Sequence, residues 1–121
     1  MSNLSLAHMG DGVFELLCRS WLCRKGGRQV GRLHADTVAL VRAGAQARFA
    51  EAMLPMLTEQ ELSYYRRGKN SHVHAVPKGA SQKEYAMATG VEALFGRLWL
   101  EGRTDRLNEI FTTVMEALYG L

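Results

Sequence analysis

TGVEALFGRLWL, residues 89–100, places apolar side chains on nearly every side of a helical wheel, with one carboxylate, Glu92, in its middle. A helix that is apolar all round is a buried one. Upstream, Ser81-Gln82-Lys83-Glu84 is a capping box: the serine accepts from a free backbone amide and the glutamate reaches back to the cap amide. It predicts a helix running through Glu101 and stopped by Gly102. Thr58-Glu59-Gln60-Glu61 is a second capping box and opens a helix that ends at Gly68. Between them, Lys69 to Ala80 contains Pro77 and Gly79 and no periodicity, and reads as a loop. Toward the start of the chain, Leu6, Met9, Val13, Leu16, Leu17 and Ser20 follow helical spacing and predict a helix from Leu4 to Arg24, stopped by Gly26 and Gly27. After a loop to about Leu33, Asp36 is placed to cap a helix presenting Val38, Val41, Ala45, Phe49, Ala52 and Met56, with Pro55 near its end. Thr104 is placed to cap a last amphipathic helix, Asp105 to Tyr119. No strand-like alternation and no repeat occurs. The class is all-α, in one domain over residues 1–121.

The net charge of +3 and the isoelectric point of about 9.1 discriminate little, but the distribution says more. Ten of the fifteen bases fall in two windows free of acids. The first holds Arg19, Arg24, Lys25, Arg28 and Arg32; the second holds Arg66, Arg67, Lys69, Lys78 and Lys83, with His72 and His74 among them. Such segregation suits a polyanion, though two basic solvated loops would look the same. The residues from Met1 to Met9 lack the basic start and apolar run of a signal peptide, and no stretch approaches a membrane span. Cys18 and Cys23 lie five apart on one helix, not face to face, which suits a reducing cytoplasm. Apolar surplus at Phe14, Trp21, Leu22 and Trp99 predicts an isologous dimer.

Two carboxylates stand where local rules disfavour them. Glu92 sits in the buried helix, and Arg97, five positions on, is off its face. Asp11 lies inside the first helix between Gly10 and Gly12, three poor helix residues in a row. The glycines strip side chains from around Asp11 and admit another backbone or a ligand. Each carboxylate needs a cation. Either an arginine such as Arg19 or Arg42 supplies a buried ion pair, or the two helices meet and a divalent cation satisfies both. Magnesium prefers oxygen ligands and commonly binds one or two carboxylates plus substrate phosphate. Glu15, one turn from Asp11, is placed either to hydrogen-bond water around such a metal or to be an ordinary solvated residue.

At these residues a family resemblance enters. Met9-Gly10-Asp11-Gly12-Val13 is similar to the "LGDAV" core of the ribonuclease III signature, and Gly90-Val91-Glu92-Ala93-Leu94-Phe95-Gly96 to that family's "EALxG" motif. Arg66-Arg67-Gly68-Lys69-Asn70 resembles the "RGRNA" segment of its Mini-III branch, as do Leu33-His34, Ala45-Gln46-Ala47, Val76-Pro77-Lys78 and Tyr85 to Thr89-Gly90. The motifs occur in order over essentially the whole chain. The sequence departs from longer members at Ala7 and Thr89, where they carry further acids, and it is expected to be a catalytic domain without the double-stranded-RNA-binding domain that they add.

The resemblance implies a helical homodimer with a cleft for duplex RNA and one acidic site per subunit. It implies hydrolysis to a 5′-phosphate and a 3′-hydroxyl, with magnesium as cofactor and manganese substituting. It further implies maturation of the 23S ribosomal RNA precursor, on a substrate carrying a ribosomal protein. Asp11 and Glu92 are then the catalytic and metal-holding residues, and Arg66, Arg67, Lys69, Asn70 and Lys78 the RNA contacts. Two other readings remain open: a non-catalytic RNA-binding protein on the same scaffold, and a zinc module from Cys18, Cys23, His72 and His74, whose spacing matches no structural zinc pattern well.

Overall fold

The computed structural model describes residues 1–71 and 81–120. Its elements are α1 (Asn3–Lys25), α2 (Val30–Val41), α3 (Ala43–Met53), a 3₁₀ turn (Leu54–Met56), α4 (Glu59–Lys69), α5 (Gln82–Leu100) and α6 (Thr104–Tyr119). No strand occurs among the described residues. None of these helices is long and apolar enough to cross a membrane.

Both capping boxes form. Thr58 and Glu61 exchange hydrogen bonds of 3.2 and 2.9 Å at the start of α4, and Ser81 and Glu84 bonds of 3.0 and 3.1 Å at the start of α5. Gly26 and Gly102 stop α1 and α5 with φ of 69° and 73°, a left-handed backbone that suits glycine.

Four boundaries differ from the sequence reading, each for a local reason. The second helix starts at Val30, not at Asp36; Asp36 sits in mid-helix, accepting from Arg28 at 2.8 Å with Arg32 at 3.5 Å. The long helix expected from Asp36 to Met56 breaks at Arg42, whose backbone is extended (φ −67°, ψ 156°), giving α2 and α3. Gly68 does not end α4, which runs on to Lys69. Thr104 is the first residue of α6, and its cap is Arg103, without a side-chain cap bond.

All four phenylalanines of the chain meet in one cluster, one each from α1, α3, α5 and α6. Phe14 packs edge-on to Phe49 at 5.1 Å and to Phe111 at 5.9 Å, with Phe95 at 5.6 Å. Rings of this size dominate the burial that holds helices together. Phe14 and Leu22 are therefore core residues, 2% and 3% exposed, and not surplus apolar surface as the sequence suggested. Trp21 is half-buried against Tyr119, while Trp99, Leu100, Leu4 and Leu16 stay exposed. Both cysteines are free: Cys23 is exposed, and Cys18 lies in the core, where burial and then the charge of Glu15 push its thiol up to about 12.

Among the described residues, the buried ion pair involves neither Asp11 nor Glu92. Glu61, besides closing its capping box, accepts two hydrogen bonds from Arg106 at 2.8 and 2.9 Å and stands 3.6 Å from Arg103. Its side chain is fully buried, so this bidentate contact ties α4 to α6. Arg106 also donates to the Met56 carbonyl at 2.8 Å, which fixes the 3₁₀ turn beneath it.

Candidate active site

The site forms where α1 crosses α5, the most extensive helix pairing in the described fold. Two glycines bring the backbones into contact. A Cβ on Gly10 would lie 1.6 Å from the Glu92 carbonyl oxygen, and one on Gly96 would lie 2.0 Å from the Leu6 carbonyl oxygen and 2.9 Å from the Gly10 nitrogen. No side chain other than hydrogen fits at either position. The expectation that a glycine beside Asp11 admits another backbone is met at Gly10, whereas Gly12 faces open space.

This crossing brings Asp11 and Glu92 together. Asp11 is exposed at the rim and Glu92 half-buried behind it. Burial pushes the Glu92 carboxyl from its ordinary 4.5 up to about 8, and the charge of Asp11 and a shared hydrogen bond with it act in the same direction. The Gln46 amide, 3.5 Å from Glu92 Oε2, opposes them weakly. Neither Arg19 nor Arg42 answers the two carboxylates. Arg19 pairs with Glu15 at 3.0 Å on the exposed side of α1, and among the described residues no ion pair involves Arg42, Asp11 or Glu92.

The positions where further acids were looked for carry none. Ala7 is buried, and Thr89 turns its hydroxyl to the Tyr85 carbonyl at 2.9 Å. Among the described residues, no three of His, Cys, Asp and Glu cluster closely enough to form a metal cage. The described residues thus offer two carboxylates, hard oxygen donors that suit a cation keeping most of its water, with the Gln46 amide nitrogen beside Glu92. Gln46 was quoted above only as part of a motif. Its signal was a lone amide on the alanine-rich buried face of α3.

Arg66 and Arg67 are exposed and Lys69 half-buried in the last turn of α4, where cations also complement the helix dipole. Asn70 ends the helix, its backbone N–H donating to the Arg66 carbonyl at 2.9 Å, while the Ser71 N–H donates to that of Gly68 at 3.1 Å. A third close contact seats this turn on α5: a Cβ on Gly68 would lie 2.4 Å from that of Ala93 and 3.1 Å from the Thr89 carbonyl oxygen. The basic turn therefore packs against the turn of α5 that carries Glu92. Lys78, His72 and His74 lie outside the described residues.

Residues 4–103 match the family model of the ribonuclease III domain. The chain is similar to the Mini-ribonuclease 3 of Symbiobacterium thermophilum, 43% identical over 107 residues that cover 88% of this chain and 82% of that protein. It is also similar to that of Desulfitobacterium hafniense, 43% identical over 94% of this chain and 72% of the relative, and to that of Streptococcus pneumoniae, 34% identical over 99% and 95%. A crystal structure of a protein from Fusobacterium nucleatum is similar over 97% of this chain and 90% of its own, with a TM-score of 0.86 and 27% identity.

Proposed function

The chain belongs to the ribonuclease III family, in its Mini-ribonuclease 3 branch, and is an endoribonuclease; from this premise we propose that Asp11 and Glu92 hold a divalent cation, magnesium or in its place manganese, with which the enzyme hydrolyses double-stranded RNA. One observation carries this reading: two carboxylates are pressed together at a backbone contact, with no cationic partner for either among the described residues. Like charges held this way repel, and a cation between them removes the repulsion and keeps Glu92 ionised at neutral pH. Bound there, the cation supplies Lewis acidity, easing ionisation of the attacking water and neutralising charge on the phosphate oxygens.

The chain's own groups have the remaining tasks. Asp11, at the rim, meets the substrate side, and Glu92, half-buried, anchors the site to α5. Arg66, Arg67, Lys69 and Asn70 grip phosphates, with Lys78 as a further expected contact. Duplex RNA hides its base edges in a deep groove, so this grip reads shape and backbone, not sequence. The family basis extends the proposal to a cytoplasmic homodimer acting on the 23S ribosomal RNA precursor with a ribosomal protein bound to it. The exposed apolar Leu4, Leu16, Trp99 and Leu100 are available to such a dimer.

The test is incubation with long double-stranded RNA in magnesium and in chelator, using the wild type, Asp11→Asn and Glu92→Gln. The expected result is magnesium-dependent cleavage that both variants lose while still binding the duplex. Binding without cleavage by the wild type would make the chain a non-catalytic RNA-binding protein. Near wild-type cleavage by either variant would place the active site elsewhere.

A further inference from the structure

A third helix reaches the site through Gln46, which is 2% exposed. It is the one polar residue on the buried face of α3, beside Ala45, Ala47, Phe49, Ala50 and Met53. Its Nε2 donates to the Val41 carbonyl at 2.7 Å. That carbonyl ends α2, where the break at Arg42 turns the chain, so the side chain caps the helix before its own. The same nitrogen stands 3.5 Å from Glu92 Oε2, at the outer limit of a hydrogen bond.

The Val41 contact also settles which end of the amide is which, since the reverse assignment would set two oxygens 2.7 Å apart. The other atom is therefore an oxygen. It is buried and has no hydrogen-bond partner among the described residues. A buried carbonyl without a partner is costly, and native proteins keep one where a water or an ion answers it. Two carboxylates leave most positions of a magnesium-type cation to water, and those waters donate hydrogen bonds.

We propose that Gln46 is a positioning residue of the cation site. Its N–H holds the Glu92 carboxylate in place, and its Oε1 accepts a hydrogen bond from a water of the cation that Asp11 and Glu92 hold. The inference rests on the reading of those two carboxylates given above. Partners of this kind orient ligands and waters without touching the metal, and their loss typically costs about 10–100-fold in metal affinity.

The test uses the whole chain and titrates Mn²⁺ without RNA, by calorimetry and by the spin-resonance signal of free Mn²⁺. Circular dichroism checks the fold of each variant. The variants are Gln46→Met and Gln46→Leu, which keep the apolar bulk and remove both polar ends, with Asp11→Asn beside them. The expected result is folded Gln46 variants whose Mn²⁺ affinity falls about 10–100-fold, and little or no binding by Asp11→Asn. The melting gain that Mn²⁺ gives should shrink in step with affinity. If Asp11→Asn loses Mn²⁺ while both Gln46 variants keep affinity within about twofold of wild type, Gln46 only caps α2 and the inference falls alone. Loss of helical structure in both Gln46 variants would likewise make the side chain structural and overturn it. If Asp11→Asn binds as the wild type does, the site assignment itself fails and takes this inference with it.

Discussion

Replacing Gly10 with alanine sets two ordinary effects against each other. In an open helix the change gains about 1 kcal/mol of helix propensity. Gly12, where an added Cβ meets nothing within 4 Å, should show that gain. Gly10, two residues away, should show the opposite. Its Cβ would lie 1.6 Å from the Glu92 carbonyl oxygen and 2.4 Å from the carbonyl carbon, backbone atoms that cannot rotate aside. Ordinary contact begins near 3.4 Å, so the seam must open by about 1.8 Å at this point. A gap of roughly 0.5–1 Å already forfeits a quarter to a half of each dispersion contact along it. Overpacking costs roughly 1–3 kcal/mol, and a backbone shift of this size belongs at the upper end. Subtracting the propensity gain leaves a net loss of about 2 kcal/mol, or about 8 °C of melting temperature for a chain of this length. The same opening moves Asp11 away from Glu92, and an error of about one ångström at a reacting centre costs on the order of 100-fold in rate. Thermal melts and urea midpoints at equal protein concentration, with cleavage measured below both transitions, read all of this. A Gly10→Ala protein that melts at or above the wild type would refute the reasoning, as would a Gly12→Ala protein less stable than Gly10→Ala.

Glu92 and Glu61 should respond to pH with opposite signs. With Glu92 raised from 4.5 to about 8, the folded chain holds that proton more tightly than the unfolded one, so without metal this contribution is full below 4.5 and is lost as pH climbs toward 8; metal-free melts should fall across that window, and Glu92→Gln should flatten the fall. Arg106 holds the Glu61 carboxyl below its usual range, so its contribution stands at neutral pH and disappears in acid. Glu61→Gln should cost about 3 kcal/mol by urea denaturation near neutrality and make the acid limb shallower, and a loss well under about 1 kcal/mol would mean the pair barely exceeds its desolvation cost. Arg66→Ala and Lys69→Ala should each weaken duplex binding and lower the slope of log affinity against log salt by about one; an unchanged slope would remove that turn from the phosphate contacts.

The sequence was most legible where one local rule acts alone. Both capping boxes and the stops at Gly26 and Gly102 depend on neighbours within a turn, and they stand as read. Asp11 and Glu92 were legible because each violates its surroundings, and the helices that carry them do meet. What escaped depends on partners that a single local rule does not weigh. Asp36 has the chemistry of a cap, but Arg28 and Arg32 claim its oxygens, so the helix starts earlier. Gly68 looks like a helix stop, yet it is glycine because Ala93 and the Thr89 carbonyl press against it. Glu61 fulfils its cap and also binds Arg106, 45 positions on, a partner no window of sequence points to. The break at Arg42 has no proline, and its one local sign is Gly44 two residues on, a poor helix residue that the sequence reading passed over.

The two carboxylates stand 81 positions apart along the chain, on the most extensive helix pairing among the described residues, which closes a long loop. Closing such a loop carries an entropy cost that no local helix formation offsets. A chain leaving the ribosome can therefore make α1 early and still have no site, because the second carboxylate arrives on α5 and counts only once the glycines of both helices are in contact. On the proposed assignment, cutting power then appears only at that late step and is lost when the seam opens. A cation that binds only the closed seam draws that step forward by mass action, so folding and arming are the same equilibrium.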